Sequence, residues 1–310
     1  MVTRGTLSQS PYLANAWWNL LVYSLSSSTR ISTPLLVEIL VGASKFDVFI
    51  CNLSNHLLES FMEKSRSVIN NDFYDDLHDK WYTEEAHPIA LLRAENQTRN
   101  PWLLTQIEKY LGKTQSVLDV GCGGGLLSNA LAKAGHRVTG LDQSASSLRI
   151  ATQNDATKSV TYVVGDACAL PFKEGEFDAV CAMDFLEHIP YPKNALVEMS
   201  RVLKRGGLFF FHTFNRNLLS WLFVIKGVDW LIPNAPKHMH RYKLFIKPEE
   251  LTAWCRDVGL HVQEQCGLSL SFFSKAVWKS ILQRRVRSDV QFVLTRSLAM
   301  GYLGFAKKIA

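Results

Sequence analysis

Three carboxylates recur at equivalent places along this chain. Asp119 in "VLDVG", Asp142 in "VTGLD" and Asp166 in "VVGDA" each stand at or near the end of a short apolar run. Gly121, Gly123, Gly124 and Gly125 follow the first acid closely. Lacking Cβ, such glycines let a ligand approach the backbone N–H groups at the start of a helix. Asp142 lies 21 residues beyond Gly121, where a carboxylate can accept two hydrogen bonds from a ribose diol. Asp119 would repel a pyrophosphate but would help to hold a cationic amino group. Asp166 can meet an adenine amino group, and Met183 closes another apolar run, "FDAVCAM", beside the same ligand. The spacing Gly-Cys-Gly-Gly-Gly departs from the dinucleotide fingerprint G-x-G-x-x-G. As an ordered set, Asp119, Gly121, Gly123, Asp142, Asp166 and Met183 indicate S-adenosyl-L-methionine (SAM) rather than NAD. Taken singly, each acid is equally a turn or capping residue and the methionine core filler.

The elements that must position these residues alternate. "SVLDVG", "RVTGLD", "VTYVVGDA", "FDAVCAMD" and "GGLFFFHTFN" read as strands, the last after a Gly-Gly turn. "GLLSNALAKAG", "SASSLRIATQNDA" and "PKNALVEMSRVLK" read as the helices between them, with Ser144 as an N-cap. This pattern predicts an α/β fold, a doubly wound and mostly parallel sheet of seven strands. Upstream, residues 62–115 read as helices that cover the cofactor site, the last of them opening at Asn100-Pro101 and closing at Gly112. Residues 116–310 form the SAM-binding domain, interrupted by an insertion at 216–247. Downstream, "KPEELTAWCRDVG" reads as a helix beginning at Pro248, "LHVQEQCGL" as a strand, and the tail "VQFVLTRSLAMGYLGFAKK" as a helix-like stretch followed by a final strand.

Composition bounds the remainder. Of 310 residues, 47% are hydrophobic and 20% charged, enough for a sizeable core. A net charge of +6 permits an anionic partner without requiring one. Six cysteines without a CxxC pair read as reduced thiols. No basic n-region precedes an apolar h-region and cleavage site, and no run of 18 apolar residues occurs, so neither a secretory signal nor a spanning helix is expected. Residues 1–61 hold only three acids and three bases. They read as a weakly ordered extension, with Met62 opening the working protein, or as a lineage-specific targeting or docking segment.

The motifs "LDVGCGGG", "VTGLD", "MDFLEHIPYP", "FNRNLLSW" and "FIKPEEL" resemble class I SAM-dependent methyltransferases, and among these the ubiquinone biosynthesis O-methyltransferase family. The resemblance covers roughly 72–268. It implies SAM contacts at Arg99, Gly121, Asp142 and Met183. It implies a Rossmann-like enzyme that transfers a methyl group to a phenol or catechol hydroxyl of a polyprenylated quinone precursor. It also implies a metal cluster at Asp184, Glu187 and His188, with Asp184 standing where the family usually has Glu. On a helix, positions i, i+3 and i+4 would share a face, and two carboxylates with an imidazole suit Mg²⁺, Mn²⁺ or Zn²⁺. "LEH" is also common in class I methyltransferases without a metal, so capping or pairing by Glu187 stays open. For proton removal His188 is the candidate base, with Glu187 beside it and His212 and His240 as further candidates.

Between His212 and Pro248 lie six bases and one acid, interleaved with Trp221, Phe223, Trp230, Tyr242 and Phe245. This composition suits an interfacial helix docking on an anionic membrane, or a lid closing over the substrate with its aromatics inward. "KSILQRRVRSD" adds a second basic patch or merely a solvated helix face. The expected setting is cytoplasmic, peripheral to the inner face of a membrane (the mitochondrial matrix side in a eukaryote), with a quinone-biosynthesis protein complex as a further partner. No separate nucleic-acid-binding motif is visible. Another small lipophilic acceptor, or a non-catalytic SAM-fold scaffold, remains as the alternative.

Overall fold

Ser116–Val120 (β1), Arg137–Asp142 (β2), Thr161–Val164 (β3), Phe177–Met183 (β4) and Leu203–Phe214 (β5) pair in parallel, in the order β3-β2-β1-β4-β5. Alternation decides which layer each residue fills. Leu118, Val120, Val180, Phe209 and Phe211 enter one buried cluster, while Val117, Ala179, Cys181 and Phe210 enter the cluster on the opposite face. The run Phe209-Phe210-Phe211 is fully buried. Each ring withdrawn from water contributes roughly 1.5–3 kcal/mol. Parallel strands covered on both faces account for these continuous apolar runs.

The other half of the sheet is antiparallel. Gly301–Lys308 (β8) lies between β5 and Leu260–Leu270 (β6), and Phe292–Thr295 (β7) pairs with the outer side of β6. The sheet therefore has eight strands where seven were expected. The extra strand comes from the tail segment expected to be helix-like. Phe292 is buried while Val293 and Leu294 are exposed, and the edge of β6 supplies the backbone partners that draw an aromatic and β-branched segment into a strand.

The structure, a computed structural model, describes residues 72–228, 232, 235–236, 239–271 and 274–309. All of these fall in one compact unit, Ser67–Ala310. The extension expected at 1–61 lies outside the described residues. The helices are Lys80–Thr83 (α1), Ile89–Leu111 (α2), Leu126–Lys133 (α3), Ala145–Gln153 (α4), Pro192–Val202 (α5), Leu218–Ser220 (α6), Pro248–Asp257 (α7) and Lys275–Gln283 (α8). Ser144 caps α4 by accepting from the Ser147 N–H, as expected.

One helix boundary differs from the sequence reading. Asn100-Pro101 does not open a helix, because α2 runs through Pro101 for 23 residues. An interior proline costs about 3 kcal/mol. Burial offsets it: Leu103 and Ile107 are fully enclosed by the sheet-side cluster, while Glu95, Asn96 and Arg99 of the same helix are buried at the site. Among the described residues, all five cysteines are free thiols and no helix is long and apolar enough to cross a membrane.

Candidate active site

The loop after β1 turns on glycines. Gly121, Gly123 and Gly125 have φ of 71°, 51° and 80°, a region that side chains with Cβ rarely adopt. A Cβ on Gly124 would meet the Trp81 indole at 2.5 Å. The Tyr82 hydroxyl donates to Gly124 O at 2.7 Å, so the α1 segment is fastened over this loop. Asp142, at the end of β2, accepts from the Gly123 N–H at 2.8 Å and from the Ser144 N–H at 2.9 Å. Asp166 accepts from the Cys168 N–H at 2.9 Å and so closes its own turn.

Asp119 is buried, and the Ser128 hydroxyl donates to it at 2.6 Å. Burial pushes its carboxyl up to about 6. A carboxylate that burial deprives of solvation is stabilised by an adjacent cation, as an amino group would supply.

All seven residues expected at the cofactor, Arg99, Asp119, Gly121, Gly123, Asp142, Asp166 and Met183, line one cleft of about 1310 Å³. The residues therefore fit SAM: carboxylates stand at the ends of β2 and β3, a glycine loop needs no Cβ, and a buried acid awaits a positive charge. Sequence reasoning missed Tyr74, Trp81, Asn96 and Phe185, which line the same cleft. The aromatics of "DFYDDLHDKWY" were the available signal. Their partner loop is about 40 residues away in sequence, which no local pattern reveals.

A second cavity of about 890 Å³ adjoins the first, and Tyr74, Leu92, Asp184 and His188 line both. Its wall is mostly apolar, built from residues such as Ile89, Phe214, Phe223, Val228, Leu268 and Phe292. The insertion supplies part of it. After α6 the chain continues as a π-helix, Trp221–Lys226, and Phe223 and Val224 face the cavity. Trp230 lies outside the described residues. The two motifs that flank the insertion meet: Arg216 of "FNRN" pairs with Glu250 of "FIKPEEL" and donates to Phe245 O at 3.2 Å. Asn215 and Asn217 donate from their side chains to Leu298 O and Ala299 O, both at 2.8 Å.

The expected triad is not brought together as a ligand set. Asp184 has φ of 55°, and its carboxylate turns to Arg99 and His212, with which it makes a buried ion pair and a hydrogen bond. Burial pushes this carboxyl up, but Arg99 and His212 outweigh burial and hold it below the usual range. Leu186–His188 is a 3-10 turn rather than an α-helix, and Asp184 lies outside it with left-handed backbone, so the helical face expected for Asp184, Glu187 and His188 does not form. Glu187 lines neither cavity. It is 2% exposed, with the Thr213 hydroxyl and its own backbone N–H as the hydrogen-bonding groups beside its carboxylate. Burial, and next the charge of Asp184, push it up to about 8.

Glu187, expected as a catalytic or metal residue, is placed as a buried acid outside the lining of both cavities. The atoms that do converge, all within 4.8 Å, belong to Glu95, Asp184 and His212, and Arg99 already supplies the positive charge there. The side chains as placed do not fit a divalent cation at Asp184, Glu187 and His188.

His188 lines both cavities, and burial lowers its imidazole to about 4, which leaves it neutral at ordinary pH. His240 lines the second cavity with its ring 5.3 Å from that of His188, and burial lowers its imidazole to about 3. His212 lines neither cavity and serves the Asp184 network instead.

Comparison with known proteins agrees with this geometry. Residues 118–211 match a family profile described as "Methyltransferase domain". A ubiquinone biosynthesis O-methyltransferase of Leptothrix cholodnii is 35% identical over 214 residues, 67% of this chain and 88% of the relative. One from Pseudomonas savastanoi is 38% identical over 207 residues, 65% of this chain and 87% of the relative. The magnesium protoporphyrin IX methyltransferase of Synechocystis, solved with bound SAH, superposes with a TM-score of 0.52 at 17% identity, over 77% of this chain and 95% of that one. A Thermotoga maritima SAM-dependent methyltransferase gives 0.51 at 18% identity, over 76% and 99%. At such identities these two structures speak for the fold alone.

Proposed function

The chain belongs to the ubiquinone biosynthesis O-methyltransferase family, and on that footing we propose that it methylates a phenol or catechol hydroxyl of a polyprenylated quinone precursor. The observation that carries this reading is the pair of adjoining cavities. One is edged by carboxylates and glycines, the other is apolar, and Tyr74, Asp184 and His188 form the boundary between them.

SAM bound in the first cavity supplies an electrophilic methyl group, and the chain's own residues do the rest. Asp142 receives the ribose diol, Asp166 the adenine amino group, and Asp119 the amino group of the methionine moiety. The apolar wall of Phe223, Val228, Leu268 and Phe292 excludes water and takes the hydrophobic part of the acceptor. A phenol hydroxyl has an ordinary pKa near 10, so its proton must leave as the new carbon–oxygen bond forms. The neutral imidazole of His188 accepts that proton at the boundary. Fixing acceptor and methyl donor on either side of this boundary turns a bimolecular encounter into an oriented one, which can supply several kcal/mol of the barrier.

The protein acts at the inner face of a membrane, since a prenylated acceptor resides in the bilayer. The half-buried Trp221–Lys226 segment, apolar with basic flanks, supports contact there. The test is methyl transfer from radiolabelled SAM to a short-chain polyprenyl catechol, with a water-soluble catechol as control. Labelled methyl ether from the prenylated acceptor is the expected result. Binding of SAM with no transfer to either acceptor would overturn the substrate reading while leaving the cofactor site standing.

A further inference from the structure

We infer that α8 and the basic turn following it form a second membrane-contact surface, separate from the 216–247 insertion, that seats the wall of the acceptor cavity on anionic lipid headgroups. The inference rests on the reading of a bilayer-borne acceptor.

Helix α8 is amphipathic. Ser274 caps it, and its inner face, Ala276, Val277 and Ser280, is buried. Ala276 and Val277 join Leu268, Phe292, Val286, Val290 and Ile232 in one apolar cluster. Leu268 and Phe292 of that cluster also line the acceptor cavity. The inner face of α8 and the lipophilic cavity are therefore two sides of the same thin apolar wall.

The outer face has the opposite chemistry. Lys275, Lys279, Arg284 and Arg285 are exposed, and no acid occurs from Lys275 to Ser288. Leu282 stands among them 82% exposed, the most exposed large hydrophobic side chain among the described residues. Arg285 has Glu85 at 3.5 Å and Arg287 pairs with Asp289. Lys275, Lys279 and Arg284 make no ion pair with the described residues. Arg284 ends the helix at φ of 51°, and beyond it β7, whose Phe292 packs in the same cluster, exposes Val293 and Leu294. An exposed leucine on a face where cations outnumber their acidic partners, Glu85 and Asp289, is costly to present to water alone. It matches a surface that offers both phosphate charge and an apolar layer just beneath. An acidic protein would satisfy the cations but leaves Leu282 without a reason.

The test uses the full chain and vesicle flotation. Wild-type protein should float with phosphatidylcholine vesicles that contain phosphatidylglycerol, less so as salt rises, and weakly with pure phosphatidylcholine. K275Q/K279Q/R284Q should lower anionic-vesicle affinity about a hundredfold, at roughly fivefold per charge removed. Leu282→Asp alone should lower it at least tenfold. All four positions are exposed, so SAM affinity and methylation of a water-soluble catechol should stay at wild-type level and report an intact fold. Wild-type binding unchanged in both variants would overturn the inference, as would failure of wild-type protein to float. A lack of methyl transfer to any phenol with flotation intact would strike the substrate reading instead.

Discussion

Arg99 and Asp184, 85 residues apart in sequence, form a buried ion pair at the junction of the cofactor cleft and the acceptor cavity. Arg99 is 3% exposed and Asp184 is mostly buried where the two cavities meet, and His212 and Glu95 complete the same network. Removing one partner of such a pair leaves an uncompensated charge and costs about 3–5 kcal/mol. Arg99→Met should therefore lower the denaturation midpoint strongly and abolish measurable SAM binding. R99M combined with Asp184→Leu should be more stable than R99M alone, because no orphaned carboxylate remains. Additive losses in chemical denaturation would show that the two residues do not act as a pair.

Asp142 holds the glycine loop through the Gly123 N–H and has the end of β2 as its support. Its replacement by alanine removes the acceptor for a ribose diol. Two hydrogen bonds to a charged group, at roughly 1.5–3 kcal/mol each, correspond to more than a hundredfold in affinity. Isothermal titration with SAM is the check, and micromolar affinity retained in Asp142→Ala would remove Asp142 from the cofactor site.

Glu187 gives a pH dependence whose sign can be worked out. Burial raises its folded-state carboxyl to about 8, against a reference of 4.5. Between those values the unfolded chain has released the proton while the folded chain still holds it. Stability from this group is thus present at low pH and falls as pH rises from about 5 to about 8. Glu187→Gln keeps the shape and cannot ionise. It should flatten that decline and raise the melting midpoint at pH 8 by at least roughly 2–4 °C, the equivalent of about 1 kcal/mol. A variant that melts with the same pH slope as wild type would show that the acid is ionised in the folded state.

Arg216 and Glu250 fasten the beginning of the insertion to α7. Both are part-exposed, so the pair itself is worth little in global stability. Its effect should be local. Arg216→Gln should increase proteolytic cleavage within 216–247 and raise KM for the acceptor several-fold, with SAM affinity unchanged. Equal loss of SAM affinity would mean that the strap supports the whole site rather than the acceptor wall.

The convergence of the residues expected at the cofactor on one cleft was legible in the sequence because it is local. Each of Asp119, Asp142, Asp166 and Met183 sits at or near the carboxyl end of a strand, and a parallel sheet brings those ends to one edge whatever the loops do. Hydrophobic period and glycine placement suffice for that, and they also fixed Ser144 and Pro248 as helix starts.

The acceptor half was not legible, because its parts are distant in sequence and their directions are set by packing. The same five letters, Asp184 to His188, could describe a helical ligand face or a 3-10 turn. Only the pull of Arg99 and His212 on Asp184, and the burial of Glu187 behind the site, selected the turn. Pro101 announced a helix start by its local chemistry, yet the enclosure of Leu103 and Ile107 carried α2 straight through it. The sequence alone determined the fold class and the cofactor cleft, since both follow from period-2 and period-3.6 patterns with short turns. Tertiary structure decided which acid lines a cavity, which is buried, and what lines the second cavity, since those outcomes depend on contacts that no window of the chain contains.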